Sequence, residues 1–248
     1  MPHNSDCVIF VHIGKTAGTT LSVILIRQYA GQTIFAVDAS KGTTIETLKA
    51  LPDEEKSQIN LLRGHILFGL HEDLPQPATY ITMLRNPVNR IVSLYYHILR
   101  EETHYLHEAV TSQKMTLEDY VTSGLAGEID NFQGRALAGY ESTRIPVGEC
   151  DRTLLSKAKV NVKDHFSVVG ITERFDDSLR LMKERLGWAT LPVYKSMNIA
   201  TNKPKREREI SESTIRLIQS HNALDCELYD WACDQLDEQL SKGLRDSA

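Results

Sequence analysis

Two clusters of residue types early in the chain are suited to holding anions. The first is His12-Ile13-Gly14-Lys15-Thr16-Ala17-Gly18-Thr19-Thr20-Leu21, directly after the apolar run Val8 to Val11. That run has the length and β-branched content of a strand buried on both faces. Beyond the turn, Leu21, Val23, Ile24, Leu25 and Ile26 read as a helix apolar over most of its circumference. Strand, glycine-containing turn and helix together aim unpaired backbone N–H groups and a helix N-terminus at one point. Lys15 adds a formal positive charge there, and Thr16, Thr19 and Thr20 add hydroxyl donors. The chemistry such a turn supports is the binding of a phosphate or sulfate group.

The second cluster is Arg85-Asn86-Pro87-Val88-Asn89-Arg90 with Ser93 a turn further on. Arg85 ends the predicted strand Thr79 to Leu84, where ligands of parallel sheets bind. Ser93 lies off the apolar stripe of the following helix, on its polar side with Asn89 and Tyr96. An arginine fork beside a hydroxyl suits a phosphate monoester.

Gly14-Lys15-Thr16 is not a Walker A loop, because that motif needs a glycine where Ile9 stands, inside the strand; the dinucleotide fingerprint is also absent. The turn instead resembles the 5′-phosphosulfate loop of sulfotransferases, in which Lys-Thr-Ala/Gly-Gly/Ser-Thr-Thr follows the first strand. Arg85-Asn86-Pro87, followed by Arg90 and Ser93, resembles the 3′-phosphate motif of the same family. The resemblance implies that Gly14, Lys15, Thr16, Ala17, Gly18, Thr19 and Thr20 hold the phosphosulfate of 3′-phosphoadenosine 5′-phosphosulfate (PAPS), and that Arg85 and Ser93 hold its 3′-phosphate. Phosphate groups at both ends of the nucleotide distinguish PAPS from ATP.

Three further stretches extend the resemblance over most of the chain. Val168 to Phe175 is similar to the family's late strand and helix start. Asn131-Phe132-Gln133-Gly134-Arg135-Ala136-Leu137-Ala138-Gly139 resembles a segment of the carbohydrate-type branch, and Leu224 to Tyr229 resembles its closing helix. The branch implied is the one containing heparan and uronyl 2-O-sulfotransferases. On that resemblance Lys15 serves the leaving oxygen and His65, in a Gly-His context, is the catalytic base; histidine titrates near neutral pH. His71, Glu72 and Asp73 are the alternatives for the base, since other branches use a carboxylate. Lys203, with Arg206, lies in a late basic loop that in the family closes over the nucleotide. Arg135 faces either the nucleotide or acceptor, or serves the fold. No metal is implied.

These residues require a scaffold. Strands are predicted at Val8 to Val11, Thr33 to Val37, Ile59 to Leu62, Thr79 to Leu84 and Phe166 to Ile171. Helices are predicted over Thr44 to Gln58 (with a break at Pro52), Val88 to Arg100, Phe175 to Leu186, Glu212 to His221 and Leu224 to Leu240. Alternation of this kind argues for an α/β fold, a P-loop-like central parallel sheet flanked by helices. The middle third, about 102–163, has no strand pattern and reads as a helical insertion over one end of the sheet. It carries short helical segments at Leu117 to Val121, Asn131 to Leu137 and Leu154 to Val160.

With 248 residues, 41% hydrophobic and 25% charged, the chain reads as a single domain spanning 1–248. A net charge of −5 gives no global field for nucleic acid, so an anion site must be local. No apolar run reaches the length of a membrane span, and the first residues lack the features of a signal peptide. The four cysteines form no C-x-x-C pair and read as reduced thiols in a cytoplasmic protein. The function expected is sulfuryl transfer from PAPS to an acceptor hydroxyl of a carbohydrate, glycolipid or small metabolite. The alternatives are a small-molecule kinase on the same strand-turn-helix, and a PAPS-binding protein without a working base.

Overall fold

The five apolar runs pair into one parallel sheet in a computed structural model that describes residues 6–194 and 210–246. The strands are β1 (Cys7–Val11), β2 (Thr33–Val37), β3 (Ile59–Gly64), β4 (Ala78–Leu84) and β5 (Phe166–Ile171), in the order β2-β3-β1-β4-β5. Every residue of β1 is buried, as its unbroken apolar sequence demands of the central strand. β2 has an exposed start and half-buried remainder, consistent with the edge. Val11 pairs with Gly64 on one side and with Thr82 on the other, which aligns the carboxyl ends of β1, β3 and β4. The chain leaves β1 toward β2 and leaves β4 toward β5, in opposite directions along the sheet. The crevice between the ends of β1 and β4 is therefore the topological switch point, where ligands of such sheets bind.

Helix α1 (Gly18–Gln28) packs Leu21, Ile24 and Leu25 into the main core. The run expected over Thr44 to Gln58 divides at Pro52 into α2 (Ile45–Ala50) and α3 (Asp53–Lys56), because proline cannot donate to the preceding turn. Asn86 starts α4 (Pro87–Arg100): its side chain accepts from Asn89 N at 3.2 Å and Pro87 occupies the first turn.

The middle third is not one insertion over one end of the sheet. It holds α5 (His107–Ser112), α6 (Leu117–Thr122), α7 (Phe132–Ala138) and α8 (Arg152–His165), and these split between two cores. α5 and α6 enclose a second apolar cluster with α4 and with α10 (Glu212–His221), built around Ile91, Ile98, Val110, Tyr120 and Ile218. α7 and α8 instead join the main core through Ala136, Leu137, Leu154, Leu155 and Ala158. The buried apolar residues of α4 belong to the second cluster and not to the main core, so α4 serves as its base. α9 (Phe175–Leu186) and α11 (Ala223–Asp246) complete the covering of β5.

The four cysteines are free thiols, and burial pushes Cys7 and Cys150 up to about 12 and Cys226 up to about 11. Among the described residues, no helix is long and apolar enough to cross a membrane.

Candidate active site

The turn after β1 is held open rather than filled. His12 N donates to Gly64 O at 3.0 Å, extending the β1–β3 ladder by one bond before the chain turns. Lys15 and Ala17 both have positive φ, 70° and 62°, while Thr16 between them does not. Alternation of this kind turns successive N–H groups toward one concavity. Two non-glycine residues in the left-handed region are costly, and such cost is characteristic of ligand clamps. Thr16 is buried and donates to Ile13 O at 2.8 Å, so its side chain braces the turn instead of facing out. A Cβ on Gly14 would meet nothing within 4 Å. No side chain caps α1, so the N–H groups of Gly18 and Thr19 remain for an acceptor from outside the helix.

Arg85 reaches this turn from the neighbouring strand. Its Nη1 donates to Lys15 O at 3.0 Å, while its Nε is buried, has no hydrogen-bond partner among the described residues and lies 3.8 Å from Glu173 Oε1. Burial lowers the pKa of Arg85, with Glu173 opposing that shift. Burial also lowers that of Lys15, helped by Arg100 and Arg85. An orphaned guanidinium N–H beside an ammonium and a strained N–H concavity fits an anionic group of the phosphosulfate or phosphate kind.

What fixes Arg85 comes from far along the chain. The buried amide of Gln133 accepts from Arg85 N at 2.8 Å and donates to Arg85 O at 3.0 Å, clasping the end of β4. Gln133 is itself held because Asp225 accepts from Gln133 N at 3.1 Å and Gly134 N at 2.7 Å. Asn131 returns the contact, accepting from Leu224 N at 3.0 Å and Asp225 N at 3.1 Å. Glu173 accepts from Asn86 N, from the Asn89 amide at 3.3 Å and from Tyr229 OH at 3.1 Å, so its carboxylate is anchored beside Arg85.

A cavity of about 460 Å³ opens against the turn, and Gly14, Lys15, Thr19 and His65 share its wall. His65 is exposed and its ring stacks on His12 with centroids 4.2 Å apart. His97 and His104 line the same cavity, and burial with nearby Lys15 lowers the pKa of His97. Arg90 also reaches it: fully buried, it donates to Glu128 O at 2.6 Å and lies over the Phe132 ring at 5.7 Å.

Not every expected residue joins this group. Ser93 is half-buried on α4, one turn before His97, and neither it nor Arg85, Thr16, Ala17 or Gly18 lines the cavity; Thr20 is buried behind the turn. His71, Glu72 and Asp73 line a different cavity of about 530 Å³ that shares no wall residue with the first. There His71 Nδ1 lies 3.0 Å from Tyr80 OH, because the chain beyond His65 runs back toward the start of β4. Arg135 is structural, with its guanidinium spent on Asp130 and on the carbonyls of Ser142, Ile145 and Pro146. Lys203 and Arg206 lie outside the described residues. Sequence reasoning passed over His12, Gln133 and Glu173. Each carried only a positional signal: His12 opens the turn stretch, Gln133 lies in the Asn131 to Gly139 stretch and Glu173 in Val168 to Phe175.

A parallel sheet with a glycine-containing turn after β1 and a clasped arginine after β4, meeting at the switch point, defines an α/β protein of the P-loop-like kind. The galactose-3-O-sulfotransferase family matches residues 1–245, and the chain belongs to that family. Human heparan-sulfate 6-O-sulfotransferase 1 is 26% identical over 276 residues, covering 92% of this chain and 65% of that protein. Heparan sulfate 2-O-sulfotransferase 1 of Xenopus laevis is 24% identical, covering 92% of this chain and 70% of that one. Mouse galactose-3-O-sulfotransferase 3 is 28% identical, covering 90% and 54%. The chain thus spans from about half to somewhat over two thirds of the length of the curated relatives it matches. The expected likeness to carbohydrate-type sulfotransferases holds, with the galactose-3-O family as the one matched along nearly the whole chain.

Proposed function

We propose that this chain transfers the sulfuryl group of PAPS to a hydroxyl of a carbohydrate acceptor and releases 3′-phosphoadenosine 5′-phosphate (PAP). The observation that carries the reading is the meeting of the strand-end segments after β1 and β4, with Arg85 bonded to Lys15 O while its Nε, facing Glu173, makes no hydrogen bond among the described residues. PAPS supplies an activated sulfuryl group. The turn from Gly14 to Thr20 orients it through backbone N–H groups, and Lys15 neutralises charge on the departing phosphate oxygen. Arg85 and Ser93 hold the 3′-phosphate. His65, across the same cavity from Lys15, takes the acceptor proton as the new O–S bond forms and the old S–O bond breaks. Family membership and the carbohydrate-sulfating relatives support a saccharide as acceptor.

Calorimetric titration with PAP, against ATP·Mg²⁺, followed by transfer from labelled PAPS to galactose-terminated and heparan-type oligosaccharides, tests the reading. The expected result is PAP binding at about micromolar affinity, no response to ATP, and labelled saccharide. ATP binding without PAP binding would overturn it in favour of a kinase. PAP binding with no transfer to any saccharide would leave a binding protein.

A further inference from the structure

The ring that supports His65 is itself a histidine, and the turn is shaped around it. His12 and His65 stack at 4.2 Å with planes 23° apart, and Phe10 continues the column at 5.5 Å and 13°. A Cβ on Gly18 would lie 1.9 Å from His12 Cδ2 and 2.1 Å from its Nε2. The first residue of α1 must therefore be glycine for the His12 ring to lie where it does. This notch is tighter than the backbone of the turn requires, because Gly14 beside it has open space.

Two imidazoles at this separation do not both carry charge. Burial, reinforced by His65, Arg63 and Lys15, takes the His12 pKa down to about 3, so His12 stays neutral. His65 is the exposed member of the pair and lines the cavity. A neutral ring stacked beneath an imidazolium attracts it through its π face.

We infer that His12 is a positioning residue: docked in the notch left by Gly18, its ring holds the plane of His65 toward the cavity and supports the charge His65 gains. This rests on the reading of His65 as the base. It gives the turn a second task, since the segment that holds the anion also carries the platform for proton transfer.

The test compares the full chain with His12→Asn, which removes the stack, and His12→Phe, which keeps it. Turnover from labelled PAPS is followed against pH and PAP affinity is measured by calorimetry. Expected for His12→Asn is a kcat lower by about 10- to 100-fold, the scale of a misplaced catalytic group, with PAP affinity unchanged and a displaced acid limb of kcat/KM. His12→Phe should recover most of kcat. Equal kcat and pH profile in His12→Asn and wild type would overturn the inference, as would equal loss in both variants or a loss confined to PAP affinity. A second measurement needs no variant: the Cε1–H resonance of His12 in the wild-type chain should not titrate between about pH 8 and pH 5. Titration in that range would overturn the division between the two rings. A wild-type chain that neither binds PAP nor sulfates would sink the functional reading, and the resonance would still report on the stack.

Discussion

Asn131 and Asp225 cap each other's helices. Asn131, at the start of α7, accepts the N–H groups of Leu224 and Asp225 in α11, while Asp225 accepts those of Gln133 and Gly134 in α7. Both side chains are buried, so each satisfies donors that water cannot reach. Asn131→Ala is expected to cost about 1–3 kcal/mol, the scale of a lost cap or an unsatisfied buried donor, read as a lower urea midpoint. Because α7 carries the Gln133 clasp, PAP binding should weaken as well. In a double-mutant cycle with Asp225→Ala the two losses should fall short of additivity by at least about 0.5 kcal/mol. Additive losses would mean the two caps act separately.

Glu173 stands where it would compete with a bound anion for Arg85. The carboxylate lies 3.8 Å from Arg85 Nε and is held by Asn86, Asn89 and Tyr229. Glu173→Gln removes the opposing charge and retains an amide oxygen to accept from those donors. PAP affinity is expected to rise by roughly 1 kcal/mol, about fivefold, a size set by the half-open position of the pair. Weaker PAP binding in Glu173→Gln would show that the carboxylate positions Arg85 more than it competes.

Replacing Arg85 tests the other half of the same relationship. Its fork serves Lys15 O through Nη1 while its Nε faces Glu173 with no hydrogen bond among the described residues, a division that a lysine ammonium cannot reproduce. Arg85→Lys and Arg85→Ala should therefore both lower PAP affinity, by about 2–3 kcal/mol, the range of charge-assisted hydrogen bonds. Calorimetry in which Arg85→Lys matches wild type would remove the fork from the argument.

The elements were legible where burial leaves no choice. β1, β4 and β5 are apolar runs because they are covered on both faces, and Pro52 and Pro87 mark a break and a start by their missing N–H. Lys15 and Arg85 could be placed because one lies in the short turn after a strand and the other directly follows a strand, and both strand ends are visible. Gln133 and Glu173 could not. Each meets the Arg85 segment from a distant helix or turn, 48 and 87 positions away in the chain, and only the packing of α7 and α9 brings them there. His12 is visible as the first residue of the turn, but its stacking on His65 is not, because β1 and β3 become neighbours only in the sheet order. For Arg135 the sequence leaves a ligand role and a fold role open, and the packing decides for the fold, because its donors close the loop that follows α7.

The neutral His12 ring also sets how the fold responds to acid. An unfolded chain protonates this histidine below its ordinary value of 6.5, whereas the folded chain holds it neutral to about 3. Between those limits the unfolded state binds more protons, so this group makes stability rise with pH and fall as acid is added. Its contribution is a slope of up to about 1.4 kcal/mol per pH unit below 6, vanishing above pH 7, where both states are neutral. His12→Phe removes the titrating group and keeps a ring against Gly18. Urea melts of the two proteins from pH 7 to pH 4 should therefore diverge, with the wild type losing stability faster. Parallel curves would mean that His12 gains its proton in the folded chain, and the neutral platform beneath His65 would have to be abandoned.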